Sequence, residues 1–546
     1  MNIQTILKST IFVIFFISTL WLVAGVPFVF NSPDENANYI FAKTFSESGT
    51  FKLHDSANLE LGGIIHSRST LAVGEYIVPK SFFGLSLISG AIGWLFGQVA
   101  ILLVVPVLAI LCVLAWRSII YKIFKNAQLA DLTALMLMIH PAFWYYTGRT
   151  MMHNVAFVAF LIFSAWFLIS TPWHRWLKDR LWLAEYLNTI FASLMLGLAL
   201  VIRTAEGIWV LPLAAFLLWY GRKKISWRQL ILFILTLALP LTIILTVNNS
   251  LYGSPFSTGY TVGEGYIPVQ TELEIQPEQV DAVNNPQASS GIAGIFLPFG
   301  FHEYNIVHNV WNYGFLLFPW MSILAAIGLL TVFIQRHNLW MMLASITVVL
   351  SIWLGIVYGS WWFADNPDPR VISLANSHVR YWLPLFVFAS LFSAKAILWL
   401  SNMIKHKGAR AFTVVIFSIA LVILSGWSIF SGQDGFIKVR KNLLTSAEKR
   451  QIVLENTESE AIVIVDRADK FLFPDRRVVT PLRSQSTYTA IPALHEVAPL
   501  YYFGITLPEE DIDFFNKATL SKVNLKISVV IHAFDETLYQ ITTIEK

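Results

Sequence analysis

An acidic pair, Asp34–Glu35, follows directly on an apolar stretch that begins near Thr10. It lies in FNSPDENANYIFAKTFSESGTF, where Ser32 or Pro33 is suited to open a helix. Both carboxylates then fall in the first turn, where the helix dipole stabilises negative charge. Tyr39, Ile40 and Phe45 are interleaved with Asn36, Asn38, Lys43, Ser46 and Glu47, as in an amphipathic helix lying on a membrane surface. Two readings of the pair stay open on these residues: carboxylates that do acid–base work, or carboxylates that merely cap the helix.

The elements that must position this pair are membrane helices. Of 546 residues 56% are hydrophobic and 13% charged, with a mean hydropathy of +0.61. A soluble protein carries about 25% charged residues. The deficit excludes a disordered chain, a nucleic-acid-binding protein and an ordinary cytosolic enzyme. The one cysteine, Cys112, lies in an apolar run, so no disulfide framework exists. Apolar runs of roughly 20 residues predict about eleven spans, at 10–30, 98–121, 128–147, 151–171, 186–202, 205–220, 228–249, 309–334, 339–360, 379–402 and 411–431. The first lacks a small-x-small cleavage site and reads as an uncleaved anchor. The stretch 82–96 is too short to span and reads as re-entrant or interfacial.

Charge fixes the expected orientation. With a cytoplasmic N-terminus and 82–96 not crossing, Arg117/Lys122/Lys125, Arg175/Lys178/Arg180, Arg222/Lys223/Lys224/Arg228, Arg336 and Lys405/Lys407/Arg410 all fall inside. The opposite face receives loop 31–81, loop 250–308 (which has no Lys or Arg), loop 361–377 and the C-terminal tail. Loop 250–308 fits either a lid or a flexible connection. The tail carries 14 of the 38 Lys and Arg and alternates short β-branched runs, AIVIV and LKISVVIH, with helix-like segments. The expected architecture is therefore an α-helical polytopic membrane domain, 1–432, followed by a small extracytoplasmic α/β domain, 433–546. Lys395 is the main charge inside a span, which argues against a carrier with a midplane site.

An acidic pair just beyond the first transmembrane helix, followed by an interfacial helix, resembles the signature of the GT-C superfamily of membrane glycosyltransferases. The similar branch holds the protein O-mannosyltransferases and lipid A aminoarabinose transferases. HSRSTLAVGEYIVPKSFFGLSLISGAIGWLFG (66–97), RTAEGIWVLP (203–212), NSLYGSPFSTGY (249–260) and HVRYWLPLF (378–386) also resemble family patterns. The resemblance implies a hexosyl- or pentosyltransferase that moves a sugar from a polyprenyl-phosphate carrier to a protein, lipid or polysaccharide acceptor. It implies Asp34 as the general base and Glu35 as a residue that orients the acceptor or helps to hold a metal, with inversion in a single displacement.

A lipid-phosphate leaving group needs cations, and arginine offers it a fork where lysine offers a point charge. Lys80 and Arg380, the latter followed by Tyr381, are the preferred donor-phosphate residues. Snorkelling to the interface is the other reading of Arg380. Arg203 either meets the donor or pairs with Glu206; Arg68, His153 and Glu206 are expected near the acceptor or behind the first contacts. Related transferases often carry an acidic residue where His153 and Asn154 stand in YYTGRTMMHN (145–154). His153 could join Asp34 or Glu35 on a divalent metal, but no metal ligand is assigned. Trp311, Trp320, Trp361 and Trp362 read first as an interfacial belt. A lipid-linked saccharide flippase and a non-catalytic membrane scaffold are the rival functions.

Overall fold

Proline positions break two of the long apolar runs. In the computed structural model, which describes residues 3–26, 28–221, 225–265, 294, 296–335, 337–363, 365, 370–480 and 485–544, the run 128–147 is not one span. It forms a helix Ala127–Met138, capped by Asn126 on the Leu129 N–H at 3.0 Å, and a second helix Pro141–Gly148. Pro141 has no N–H to continue the ladder and instead starts the new helix. The run 309–334 likewise divides into Glu303–Leu316 and Pro319–Gln335, bent by 97°. Its Val310–Leu316 part is π-helical and Pro319 opens the second arm.

Seven helices among the described residues are long and apolar enough to cross a bilayer, or eight with the bent pair taken as one span. They are Gln98–Phe124, His153–Ser170, Leu181–Ile202, Trp227–Tyr252, Asn338–Gly359, Leu383–Asn402 and the run Lys407–Glu455. Expected spans at 10–30 and 205–220 appear as the shorter helices Thr10–Leu20 and Thr204–Tyr220. Every expected span thus overlaps a helix or a helix pair, although that at 10–30 is helical only as far as Leu20, and length alone does not fix the number of crossings. Gly84–Phe96 is 13 residues long, about 20 Å at 1.5 Å per residue, short of a hydrocarbon core of about 30 Å. The basic run 222–224, Arg336 and most of the acidic loop between 266 and 293 lie outside the described residues.

The chain divides into two compact units. A helical unit takes residues 1–22, 103–242 and 276–439; a mixed unit takes 23–102, 243–275 and 440–546. In the helical unit neighbouring helices approach closely where a glycine allows it. A Cβ on Gly328 would collide with the Phe392 carbonyl on the helix Leu383–Asn402.

The mixed unit contains two sheets. In the smaller, Tyr76–Pro79 lies between Leu53–His54 and Thr70–Val73, all antiparallel. Val73 faces Tyr76 across the two-residue turn Gly74–Glu75. Gly74 has φ +59°, which a tight hairpin turn requires at its first position and which glycine takes without a steric penalty. The larger sheet has the order Arg477–Val479, Ile462–Val465, Leu500–Ile505, Glu536–Thr543, Leu525–Ala533. The first three strands run parallel and the last two add antiparallel, the α/β pattern expected of the tail. Its core is not made by the tail alone. Ala57 and Ile65 from the first loop are buried with Ile462, Ile464, Leu500 and Tyr539, and Ile65 bridges to Val479. Complete burial of Ile65 contributes about 1.5–3 kcal/mol.

Candidate active site

Ser32 is the N-cap of the helix Pro33–Ser48 and its side chain accepts the Asp34 N–H at 3.2 Å. Pro33 takes the first position, where its missing donor costs nothing. Asp34 and Glu35 fall in the first turn, as their local sequence predicts. Glu35 is buried, as are Asn36, Asn38, Tyr39 and Ile40 on the same helix. Gly90 of Gly84–Phe96 packs on this helix so closely that a Cβ would lie 2.6 Å from the Ala42 carbonyl oxygen. The second half of the helix is therefore held against the stretch 82–96, not left on an open surface.

Asp34 Oδ1 accepts a 2.7 Å hydrogen bond from the Ser69 hydroxyl. The Ser69 carbonyl accepts the Lys80 N–H at 3.2 Å. One serine thus binds the expected base by its side chain and the expected phosphate-binding lysine by its backbone. Ser67 and Thr70 fix the turn around it, with Ser67 N–H donating to Thr70 Oγ1 at 2.9 Å. His66 lies beside them, and its Nδ1 contacts the Ser67 carbonyl at 2.8 Å. Burial lowers the His66 pKa, against the pull of that carbonyl and with the help of the Lys80 charge. The ring is accordingly neutral near pH 7, with its proton on Nδ1 toward the carbonyl.

Residues between 252 and 260 pack on the backbone around Lys80. Tyr252 OH donates to the Pro79 carbonyl at 2.6 Å, Tyr260 packs on Phe82 at 5.7 Å, and Gly259 lies so near that a Cβ there would strike the Lys80 backbone. Arg68 points away from this group. Its backbone N–H, Nε and NH2 all bond the carboxylate of Asp469, which is 0% exposed.

The other expected residues meet in the helical unit. Arg203 ends the helix Leu181–Ile202, and Glu206 closes the turn Thr204–Glu206 after it. They form an ion pair at 2.5 Å with side chains 5% and 3% exposed. Glu206 also accepts from Tyr358 OH at 2.5 Å and from Trp209 Nε1. Arg203 donates onward to Tyr358 OH at 3.1 Å and to His153 Nε2 at 2.8 Å. His153 must therefore carry any single proton on Nδ1. Among the described residues no three His, Cys, Asp or Glu side chains are grouped to hold a metal ion. His153 Nε2 is thus committed to Arg203.

Tyr381 lies near two guanidinium groups. The Arg203 Cζ stands 4.6 Å and the Arg380 Cζ 5.2 Å from its ring centroid, and Tyr358 stacks on it at 4.6 Å. Arg380 is buried; it donates to Ser377 Oγ at 2.8 Å and approaches Met152 Sδ at 3.1 Å. Ser377 is itself bonded to Asp365 through its N–H at 2.6 Å and its hydroxyl at 3.1 Å. Ser69, Asp469, Tyr358, Trp209 and Ser377 were not singled out by sequence. Their roles come from distant partners, and only the SRST run around Ser69 carried a local hint.

These helices and the α/β sheet make up a multi-pass membrane protein whose fold is shared with a solved structure. The solved structure that carries this comparison is that of ArnT from Cupriavidus metallidurans in the apo state, with a TM-score of 0.53 at 12% identity over 98% of this chain and 97% of that one. No protein-family model and no curated protein sequence matches the chain.

Proposed function

We propose that the chain is an integral membrane glycosyltransferase. It moves a sugar from a polyprenyl-phosphate carrier to an acceptor on the outer face of the cytoplasmic membrane. Residues 1–432 form the catalytic membrane part, with a cytoplasmic N-terminus, and 433–546 the extracytoplasmic domain. The observation that carries the reading is the Ser69 clamp, which orients the Asp34 carboxylate and fixes the Lys80 backbone at once. The fold shared with ArnT, a protein of the branch whose motifs the chain resembles, supports it.

In this reaction the acceptor oxygen or nitrogen attacks the anomeric carbon as the bond from that carbon to the phosphate oxygen breaks. The electron pair leaves on the phosphate, the acceptor proton passes to Asp34, and the anomeric centre inverts. An aspartate is a weak base for a hydroxyl, so it acts only when held within hydrogen-bond reach as the proton becomes acidic. Lys80 stabilises the departing phosphate by a charge-assisted bond. Arg203 is given the structural role: its charge is matched by Glu206, and it braces Tyr381 beside Arg380. Glu35 orients the acceptor.

Radiolabelled polyprenyl-phosphate sugars supplied to membranes test the reading. Transfer by the wild type that collapses in normally inserted Asp34→Asn is expected. Equal transfer by both removes Asp34 as base. Saccharide translocation without transfer favours the flippase.

A further inference from the structure

The first loop and the domain after residue 440 are bound to each other at the residues that surround Asp34. The carboxylate of Asp469 accepts the Arg68 backbone N–H at 3.0 Å, Nε at 3.0 Å and NH2 at 2.7 Å. Main chain and side chain of Arg68 are thereby fixed together. The next residue is Ser69, whose hydroxyl is 2.7 Å from Asp34 Oδ1. Two further bonds from the same segment reach the start of the Asp34 helix. Asn36 Nδ2 donates to the Phe473 carbonyl at 3.0 Å, and Lys470 Nζ donates to the Asn31 carbonyl at 3.4 Å. The short helix Asp469–Leu472 therefore touches the chain before, within and across from the turn that bears the carboxylates.

The chemistry of Asp469 points the same way. A fully buried carboxylate is expensive unless it is paired and hydrogen-bonded. This one spends its bonds on a single arginine of the loop, in a paired geometry that fixes direction as well as distance. A surface domain that only needed to stay attached could use the apolar contacts around Ile65. A backbone N–H taken by a buried carboxylate one residue before Ser69 instead sets where the Ser69 side chain points.

We infer that Asp469 is a positioning residue for transfer: through Arg68 it sets Ser69, and through Ser69 it orients the Asp34 carboxylate toward the acceptor. The inference rests on the transferase reading given above. It assigns the C-terminal domain a part in the rate of the chemical step, apart from any hold on the acceptor. Charge-assisted bonds orient better than neutral ones, so Asp469→Asn, which keeps the size and loses the charge, loosens the relay without opening a cavity.

The test is a double-mutant cycle on transfer in full-length, membrane-inserted protein, with Asp469→Asn, Ser69→Ala and the pair. Expected for each single variant is a fall in kcat of about tenfold, that is about 1.4 kcal/mol, with the donor KM within about twofold of wild type. The double variant is expected to fall no further than Ser69→Ala alone, because both changes cut one relay. Arg68→Lys, which keeps the charge but not the fork, is expected to fall between wild type and Asp469→Asn. Additive losses in the double variant, a donor KM that rises as far as kcat falls, or full kcat in inserted Asp469→Asn each overturn the inference. Loss of the transferase reading is separately visible: wild type would then transfer from no donor, or Asp34→Asn would transfer as well as wild type.

Discussion

Ser69 donates a 2.7 Å hydrogen bond to Asp34, 35 residues before it in sequence. A hydrogen bond to a charged group contributes about 1.5 kcal/mol at the low end, so Ser69→Ala is expected to lower kcat by about tenfold. Ser69→Thr keeps the hydroxyl and should recover part of the rate. Initial-rate assays at saturating donor check both; unchanged kcat in Ser69→Ala would remove the serine from the site.

Gly259 packs directly on the Lys80 backbone, with no room for a Cβ. Gly259→Ala is expected to push the Lys80 strand aside and raise the KM for the lipid-linked donor severalfold, with a smaller change in kcat. Gly408→Ala, where a Cβ meets nothing within 4 Å, serves as the control. Equal donor KM in the two variants would show that Lys80 does not depend on this close approach.

The Arg203–Glu206 pair is buried and surrounded by Tyr358, Trp209 and His153. Removing one partner of such a pair costs about 3–5 kcal/mol, because it strands the other charge. Glu206→Ala is expected to lower the thermal stability of detergent-solubilised protein sharply, and Arg203→Met/Glu206→Leu to lower it less than Glu206→Ala. A double variant worse than the single would point to a role for Arg203 beyond the pair.

Lys449 joins Asp535 at 2.5 Å and Glu536 at 2.7 Å. The hydrogen bond from Lys449 holds the Asp535 carboxyl below its usual range, so this contribution is present above about pH 4 and is lost as pH falls through the lowered value. Burial pushes Lys449 down, but the bonds to both carboxylates outweigh it and its pKa is raised. Its contribution is present below about pH 10.5 and is lost as pH rises through the raised value. Asp535 is 82% exposed, so screening keeps the effect near 1 kcal/mol or less. Thermal melts of wild type and Lys449→Met should differ most between those limits and converge in acid; a gap that persists at low pH would exclude the ion pair as its source.

The helix at Pro33–Ser48 was legible because its start is a local code: a serine cap, a proline at the first position and two acids in the first turn. The Arg203–Glu206 pair was equally local, three residues apart. Hydropathy could not see the breaks at Pro141 and Pro319, since a proline at a helix start leaves the apolar run intact. Ser69 and Asp469 lay beyond reach for another reason. Nothing in the residues around Arg68 specifies a carboxylate 401 positions later, and such pairs exist only once the sheet has brought them together.

Biosynthesis is constrained by the same geometry. Ala57 and Ile65 fill a core whose other members begin near Ile462, and Arg68 finds its partner 401 residues downstream. At about 5–20 residues per second, translation leaves the first loop without that core for on the order of 20 to 80 s. During that interval Ile65 and Ala57 have nothing to pack against. A nonsense codon anywhere before residue 461 would leave them so for good. Such truncated chains should be recognised by membrane proteases at their first loop, far from the lesion itself.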